Sequence, residues 1–392
     1  MKFALLGADA DALNLAQAAA ASVEHDLVWA HDLGPAAVEA RSLAPGARFS
    51  EDWEALLTGT VADAVIVAPG ESESRSEQLR KLVQAGVPLV VCHPVHDSML
   101  LHYELDMIRR ESRCVLLPYA PEAWHPAIVR LAAGIESNGS QSHGIEQLVF
   151  ERAMADRQKG AVLRQFARDV LLIRKLCGEL NKVGAMAPPS ESSRYSNLGV
   201  QLTGQSGTLV RWSVGPVEEA AGARLTLLGP QGKRVLRMPD HGPLEEDSFS
   251  AEGVRTQTFA DWKPAAMGIE KMAAALAGEP ISPDWTDACR SVELAEAVDR
   301  SLLKGRTVEL HFEDYTEHAT FKGTMTSVGC ALLALGLVSL IVSAVAAKLV
   351  WREIGYWPYV LLAVFGIFLL LQLFKLVFPP EGSEGDAIET KL

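Results

Sequence analysis

The chain has 392 residues, of which 48% are hydrophobic and 22% charged, and its formal net charge is −13. That much apolar material fills a core and excludes intrinsic disorder, and the length accommodates two domains. The acidic balance excludes a nucleic-acid-binding role, because affinity for a polyphosphate comes chiefly from Lys and Arg neutralising phosphates.

From the N-terminus the pattern is a strand (FALLG), a helix (DADALNLAQAAAASV) and a second strand (DLVWAHD). The alternation continues with a helical EDWEALLTG, the strand ADAVIVAP, the helix SRSEQLRKLVQAG and the strand VPLVVCHP. A further helix, SMLLHYELDMIRRES, and the strand CVLLPY complete the series. Short apolar runs separated by amphipathic helices indicate a parallel sheet covered on both faces. Residues 1–130 are therefore predicted to form an α/β, Rossmann-like doubly wound domain.

In such a sheet a dinucleotide lays its pyrophosphate against the turn after the first strand. Here that turn reads Gly7-Ala8-Asp9-Ala10-Asp11-Ala12. Gly7 and Ala12 match the first and last positions of a GxGxxG motif, but Asp9 takes the middle position, where a missing side chain lets backbone approach phosphate. Two unit charges about 4 Å apart at an effective dielectric near 20 repel by ~4 kcal/mol, on the order of a thousandfold in affinity. Asp9 also reads as an N-cap accepting from the first free amides of the helix, which would occupy the anion site. Asp32, at the end of the second strand, stands where a ribose-binding acid would, or is an ordinary loop aspartate.

From His143 onward the texture changes to alternating segments: IEQLVFERA, NLGVQLTG, TLVRWSV, ARLTLLG and RVLRMP. Residues 131–320 are predicted to form an α+β domain with a mostly antiparallel sheet, one face covered by helices. Leu198, Val200 and Leu202, or Leu209, Arg211 and Ser213, are candidates for its working face, and simple core strands explain them equally well. The polar, proline-containing stretch 186–197 is expected to be a loop. Five widely spaced cysteines without CxxC or CxxH suggest neither a disulfide framework nor a zinc site, and His93 with His96 alone is short of a metal ligand set. The sequon at 138–140 would matter only in an exported head.

Two apolar runs close the chain, at 326–347 and 357–378, each about the twenty-odd residues that a bilayer core demands. The first has no charged residue and the second carries only Gln372 and Lys375 among its polar groups. Trp351, Tyr356, Trp357 and Tyr359 between and beside them fit an interfacial aromatic belt. These features predict two transmembrane helices, so the lipid bilayer is an expected partner and the protein is multi-pass. Lys348 and Arg352 balance Lys322 and Lys375, so loop charge leaves orientation open. Asp9 and Asp11 interrupt what would have to be a signal peptide, which puts the head, and the acidic tail 379–392, in the cytoplasm. The stretch 311–323 joins head to membrane.

The segments VWAHD, DWEALL, ADAVIVAP, LVQAGVPLVVCHP and YAPEAWHPAI, in this order, resemble the N-terminal domain of the Gfo/Idh/MocA oxidoreductases. GAVLRQFARDVLLIRKLCGEL resembles the family's helix with the catalytic histidine, ARLTLLGPQGKRVLRM its sheet-domain turn at Gly229 and Gly232, and SVELAEAVDRSLLKGRTVEL its closing helix. The resemblance implies NAD or NADP as cofactor, sugars, polyols or sugar nucleotides as substrates, and a possible homo-oligomer. It lays Gly7, Ala8, Asp9, Ala12, Asp32 and Pro69 along the cofactor, and puts His93 and Arg168 at the catalytic positions. The chain departs from the family at those positions. Cys92-His93-Pro94 stands for Glu-Lys-Pro, Arg168 for the catalytic histidine and Leu171 for its companion aspartate, with Asp169 between. His93 could accept a proton at neutral pH, whereas arginine stays protonated and favours an anionic or sugar-like ligand, or simply a surface place. Together these features predict a catalytically impaired oxidoreductase homologue that binds a ligand or scaffolds partners at the membrane. The alternative is an active NAD(P)-dependent oxidoreductase with His93 as base.

Overall fold

Largely apolar runs of four to six residues make five strands of a six-stranded parallel sheet, the two-residue Arg48–Phe49 makes the sixth at its edge, and helices connect most of them. The computed structural model describes residues 1–136, 145–188, 195, 197–204, 207–217, 221–230, 232–250 and 253–310. The sequon, most of the 186–197 loop, the tether, both expected membrane spans and the acidic tail lie outside the described residues. Among the described residues no helix is long and apolar enough to cross a membrane.

In chain order the first sheet uses β1 (Lys2–Leu6), α1 (Ala10–Ala21), β2 (Asp26–His31), α2 (Ala37–Leu43), β3 (Arg48–Phe49) and β4 (Ala64–Val67). It continues through α3 (Glu73–Gln84), β5 (Leu89–Cys92), α4 (Met99–Ser112) and β6 (Leu116–Tyr119). The strand order is β3-β2-β1-β4-β5-β6, and every neighbouring pair is parallel. The order reverses between β1 and β4, which opens a crevice beyond their carboxyl ends. Two local details differ from the sequence reading. The segment expected as a helix at 51–59 winds only one 3-10 stretch, Glu54–Thr58, because Gly59 turns left-handed and ends it. The helix α2 and the short strand β3 carry too weak a periodicity to be read from the sequence.

A helical pair, α5 (Pro121–Trp124) and α6 (Pro126–Glu136), leads to the second sheet. That sheet contains β7 (Gln147–Ala153), then α7 (Lys159–Cys177), β8 (Leu180–Met186), β9 (Gly199–Gly204), β10 (Leu209–Gly215), β11 (Gly222–Gly229) and β12 (Gly232–Pro239). It is completed by β13 (Leu244–Ser250) and β14 (Gly253–Phe259), and, after α8 (Pro264–Leu276) and α9 (Trp285–Lys304), by β15 (Val308–Glu309). The order is β14-β13-β12-β11-β7-β10-β9-β8-β15, antiparallel except where β7 and β10 run parallel. Alternation sorts its faces. Leu148, Phe150, Val210, Trp212 and Leu225 are buried, and Trp212 meets Phe166 of α7 edge to face with ring centroids 5.0 Å apart. Leu198, Val200 and Leu202 are buried, whereas Arg211 is exposed and Leu209 and Ser213 are half-buried.

The first sheet's two cores show how the chain returns. On one face, Phe3, Leu5 and Ile66 pack with Leu15 and Ala16 of α1 and with Ile269 and Met272 of α8. On the other, Leu6, Val65 and Val91 pack with Leu79 of α3, Leu105 of α4 and Trp285 and Ala288 of α9. The helices after the second sheet thus cover the first one, and residues 1–311 form one compact unit.

Candidate functional site in the switch-point crevice

The turn after β1 begins with Gly7, buried at φ +78, a left-handed conformation that glycine adopts without a Cβ penalty. Its amide donates to the His31 carbonyl at 2.9 Å, tying the turn to the end of β2. Ala8 follows, half-buried, and then Asp9 caps α1: its Oδ1 accepts from the Ala12 amide at 2.8 Å. Burial raises the Asp9 carboxyl above its ordinary pKa, and Asp11 adds to this, while the Ala12 amide and Arg168 pull it down. Asp32 ends β2 with a positive φ of 55, and Pro69 and Gly70 turn the chain after β4. Gly7, Ala8, Asp9, Asp32 and Pro69 therefore lie on the turns around the reversal point of the sheet, with Ala12 in the first turn of α1 beside them.

The crevice contains one residue that the sequence reading missed. Arg75 enters from the first turn of α3, where Ser72 Oγ accepts its amide at 3.1 Å. Its Nη1 donates to the Leu6 carbonyl and its Nη2 to Asp32 Oδ2, both at 2.8 Å, and the side chain is only 5% exposed. A Cβ placed on Gly7 would lie 2.6 Å from Arg75 Nη2, and one on Gly70 would lie 3.1 Å from Arg75 Cγ. The guanidinium thus fills the space beside the glycine and holds the acid at the end of β2. Burial lowers the Arg75 pKa, and the Asp32 carboxylate offsets it. An arginine just after the Pro69-Gly70 turn was the only sequence signal, and nothing local says that its side chain folds back onto β1.

These residues do not fit a dinucleotide as they stand. Its pyrophosphate needs open backbone at Gly7 and free amides at the start of α1, and its ribose needs a free carboxylate at Asp32. Arg75 takes the first and third, and the Asp9 cap takes part of the second.

Arg168 and His93 part company. Arg168 of α7 donates through Nη1 to Asp11 Oδ2 in the first turn of α1, and its Nη2 lies 3.6 Å from Glu122 Oε1 on α5. Burial opposes its charge, but Glu122 and Asp11 outweigh that and push its pKa further up. Asp9, Asp11 and Glu122 thus surround one guanidinium. Beside them Cys92 is buried, and burial together with Asp9 and Asp11 pushes its thiol up. Burial likewise raises the Tyr119 phenol at the end of β6.

His93 faces α9 instead. Its Nε2 is 2.8 Å from Ser291 Oγ, and that hydroxyl donates to the Ala288 carbonyl at 2.8 Å. With its only proton committed, Ser291 accepts, so Nε2 of His93 carries the hydrogen. The ring is 2% exposed and lies 6.1 Å from the His102 ring, and burial holds its pKa well below the usual value. Such an imidazole stays neutral and closed off from water. Leu171 is buried, and Asp169 serves packing: it accepts from Arg152, from Trp212 Nε1 at 2.8 Å and from Gln165 Nε2 at 2.9 Å. Arg168, His93 Nε2 and Asp169 are thus each engaged by partners within the protein.

No protein-family model and no curated protein sequence matches the chain. Solved structures match the fold over most of its length. A putative myo-inositol dehydrogenase from Sinorhizobium meliloti 1021 aligns with TM-score 0.65 and 19% identity, covering 79% of this chain and 100% of that one. UDP-N-acetylglucosamine 3-dehydrogenase GnnA from Acidithiobacillus ferrooxidans gives 0.63 and 20%, covering 77% and 97%. GenD2 from gentamicin A biosynthesis, solved in complex with NAD, gives 0.66 and 18%, covering 80% and 97%. At these identities the likeness is one of fold: this chain shares the two-sheet architecture of these dehydrogenases.

Proposed function

We propose that this chain is a Gfo/Idh/MocA-like protein that has lost hydride transfer and acts as a ligand-binding or scaffolding module. A helical hairpin at 326–347 and 357–378 would hold its head at the cytoplasmic face of a membrane. The observation that carries this reading is Arg75, whose guanidinium lies against Gly7 and is bonded to Asp32 and Leu6, where a dinucleotide would need open space. The reacting end supports it. Arginine cannot take a carbinol proton, and His93 is engaged with Ser291 and kept from solvent. Arg168 is framed by the Asp11 and Glu122 carboxylates, which compensate its charge, so this end of the crevice suits a neutral polar ligand such as a sugar rather than an anion.

The second reading is an active NAD(P)-dependent oxidoreductase on a sugar-, polyol- or sugar-nucleotide-like substrate. It is supported by the fold likeness to GenD2, which was solved in complex with NAD, and by Gly7 and Asp32, which the family resemblance sets along the cofactor. Titrating the full-length protein in detergent with NADH and NADPH, followed by nucleotide fluorescence, separates the two. Weak or absent binding is expected, and micromolar affinity for either nucleotide, or turnover of any polyol with NAD, overturns the first reading.

A further inference from the structure

At the carboxyl edge of the first sheet, β5 and β6 run side by side, and their last residues, Cys92 and Tyr119, are register partners. Tyr119 is 2% exposed and its ring is held from two sides. Trp124 of α5 meets it edge to face with ring centroids 5.9 Å apart, and Gly268 of α8 packs so closely that a Cβ there would lie 2.7 Å from Tyr119 Cε2. A ring clamped in this way fixes where its hydroxyl points. Burial raises the phenol, and Asp11 and Glu122 add to that, so the hydroxyl end faces these two carboxylates. Among the described residues that hydroxyl has no hydrogen-bond partner. A tyrosine this deeply buried usually finds one, because the group otherwise forgoes a bond that it had in water.

The charges around it are uneven. Arg168 donates to Oδ2 of Asp11 and approaches Oε1 of Glu122 at 3.6 Å, and no other cation pairs with either acid among the described residues. Two carboxylates thus answer one guanidinium, which leaves Asp11 Oδ1 and Glu122 Oε2 as acceptors. Asp9, bonded to the Ala12 amide, adds a third acid beside them. The side chains of Asp11, Glu122 and Arg168 are all partly exposed, so a ligand reaches them from solvent.

We propose that this corner of the crevice selects a hydroxylated ligand that carries one ammonium group, an amino alcohol or amino polyol. The selectivity rests on the ligand-binding reading above and names the class of ligand it takes. The ammonium lies between Asp11 Oδ1 and Glu122 Oε2 and donates to both, while the Tyr119 hydroxyl bonds a neighbouring hydroxyl of the ligand. A plain polyol leaves the spare carboxylate charge unanswered, and an anion is repelled by it.

The test is calorimetric titration of the full-length protein in detergent, at neutral pH and low salt, with glucamine, sorbitol and gluconate. These share one hydroxylated body and differ at a single end, which is an ammonium, a hydroxyl or a carboxylate. Glucamine is expected to bind once per chain and about tenfold tighter than sorbitol, with gluconate weakest. Tyr119→Phe weakens glucamine and sorbitol alike, by about fivefold. Glu122→Gln instead removes most of the preference for glucamine, whereas Glu39→Gln on α2, an exposed acid with equal charge change, leaves it unaltered. Glu122 is 42% exposed, so its replacement leaves the fold intact, as circular dichroism verifies. Equal affinity for glucamine and sorbitol, binding of neither, or a preference that survives Glu122→Gln overturns the proposal. Sorbitol binding without preference would leave the ligand-binding reading in place, whereas micromolar affinity for NADH refutes that reading and is measured separately.

Discussion

Replacing Arg75 by alanine tests the reading of the crevice directly. For a dinucleotide to reach Gly7 and Asp32, the guanidinium must leave both the Leu6 carbonyl and the Asp32 carboxylate. Asp32 is 58% exposed, so its ion pair is largely screened and worth about 1 kcal/mol. The bond from a buried charged donor to Leu6 contributes about 2 kcal/mol. The wild-type protein thus forgoes about 3 kcal/mol on binding that the variant keeps, roughly a hundredfold in affinity. In Arg75→Ala the Leu6 carbonyl still accepts from the Ala68 amide at 2.9 Å, so the substitution leaves no acceptor wholly unsatisfied. Fluorescence titration with NADH is expected to show no saturation at micromolar concentrations for the wild type and a gain of about a hundredfold for the variant. Thermal unfolding of both proteins establishes that the variant folds. A folded Arg75→Ala protein with wild-type affinity refutes the reasoning, since the guanidinium would then not be the obstacle.

Asp9→Gly removes a carboxylate from the same turn at the cost of a helix cap, about 1 kcal/mol of stability, and is expected to tighten nucleotide binding in the same titration. An unchanged affinity clears the carboxylate. Three buried histidines set a pH dependence. His102 and His125 are lowered to about 4 by burial and His93 is also well down, so the folded chain leaves them neutral while the unfolded chain protonates them below about pH 6.5. Their contribution is complete above that pH and is lost as pH falls, by up to about 1.4 kcal/mol per unit for each histidine. Urea midpoints at successive pH values between neutrality and mild acid should drop, and a flat profile contradicts the burial argument. Asp169→Ala leaves the Arg152 guanidinium, 9% exposed, with only Asp240 at 3.5 Å and frees Trp212 Nε1, for a loss of about 3 kcal/mol in chemical denaturation. A loss below about 1 kcal/mol would mean that water replaces the carboxylate.

Much of the fold was legible because its signals are short-range. The strands around Leu5, Ile66, Val90 and Leu117 are apolar runs that only a two-sided sheet buries, and the helices between them carry one apolar stripe each. The Asp9 cap was legible too, since an N-cap bonds an amide three residues on. The parallel pairing of β7 with β10 was not, because periodicity says which face a strand buries but not which neighbour it joins. The helices α8 and α9 read as part of the second domain, yet Met272 and Trp285 complete the cores of the first sheet.

The candidate site divides along the same line. Its residue types and their departures from an oxidoreductase pattern stand in the primary structure: Asp9 in the glycine turn, His93 for lysine, Arg168 for histidine. Their states come from partners far along the chain. Arg75 meets Leu6 across 69 residues and Asp32 across 43, Arg168 meets Asp11 across 157, and His93 meets Ser291 across 198. Secondary structure follows from interactions within a few residues, which a sequence displays. Whether a charged side chain is a catalyst, a plug or one half of an ion pair depends on burial and on what the folded chain brings opposite it.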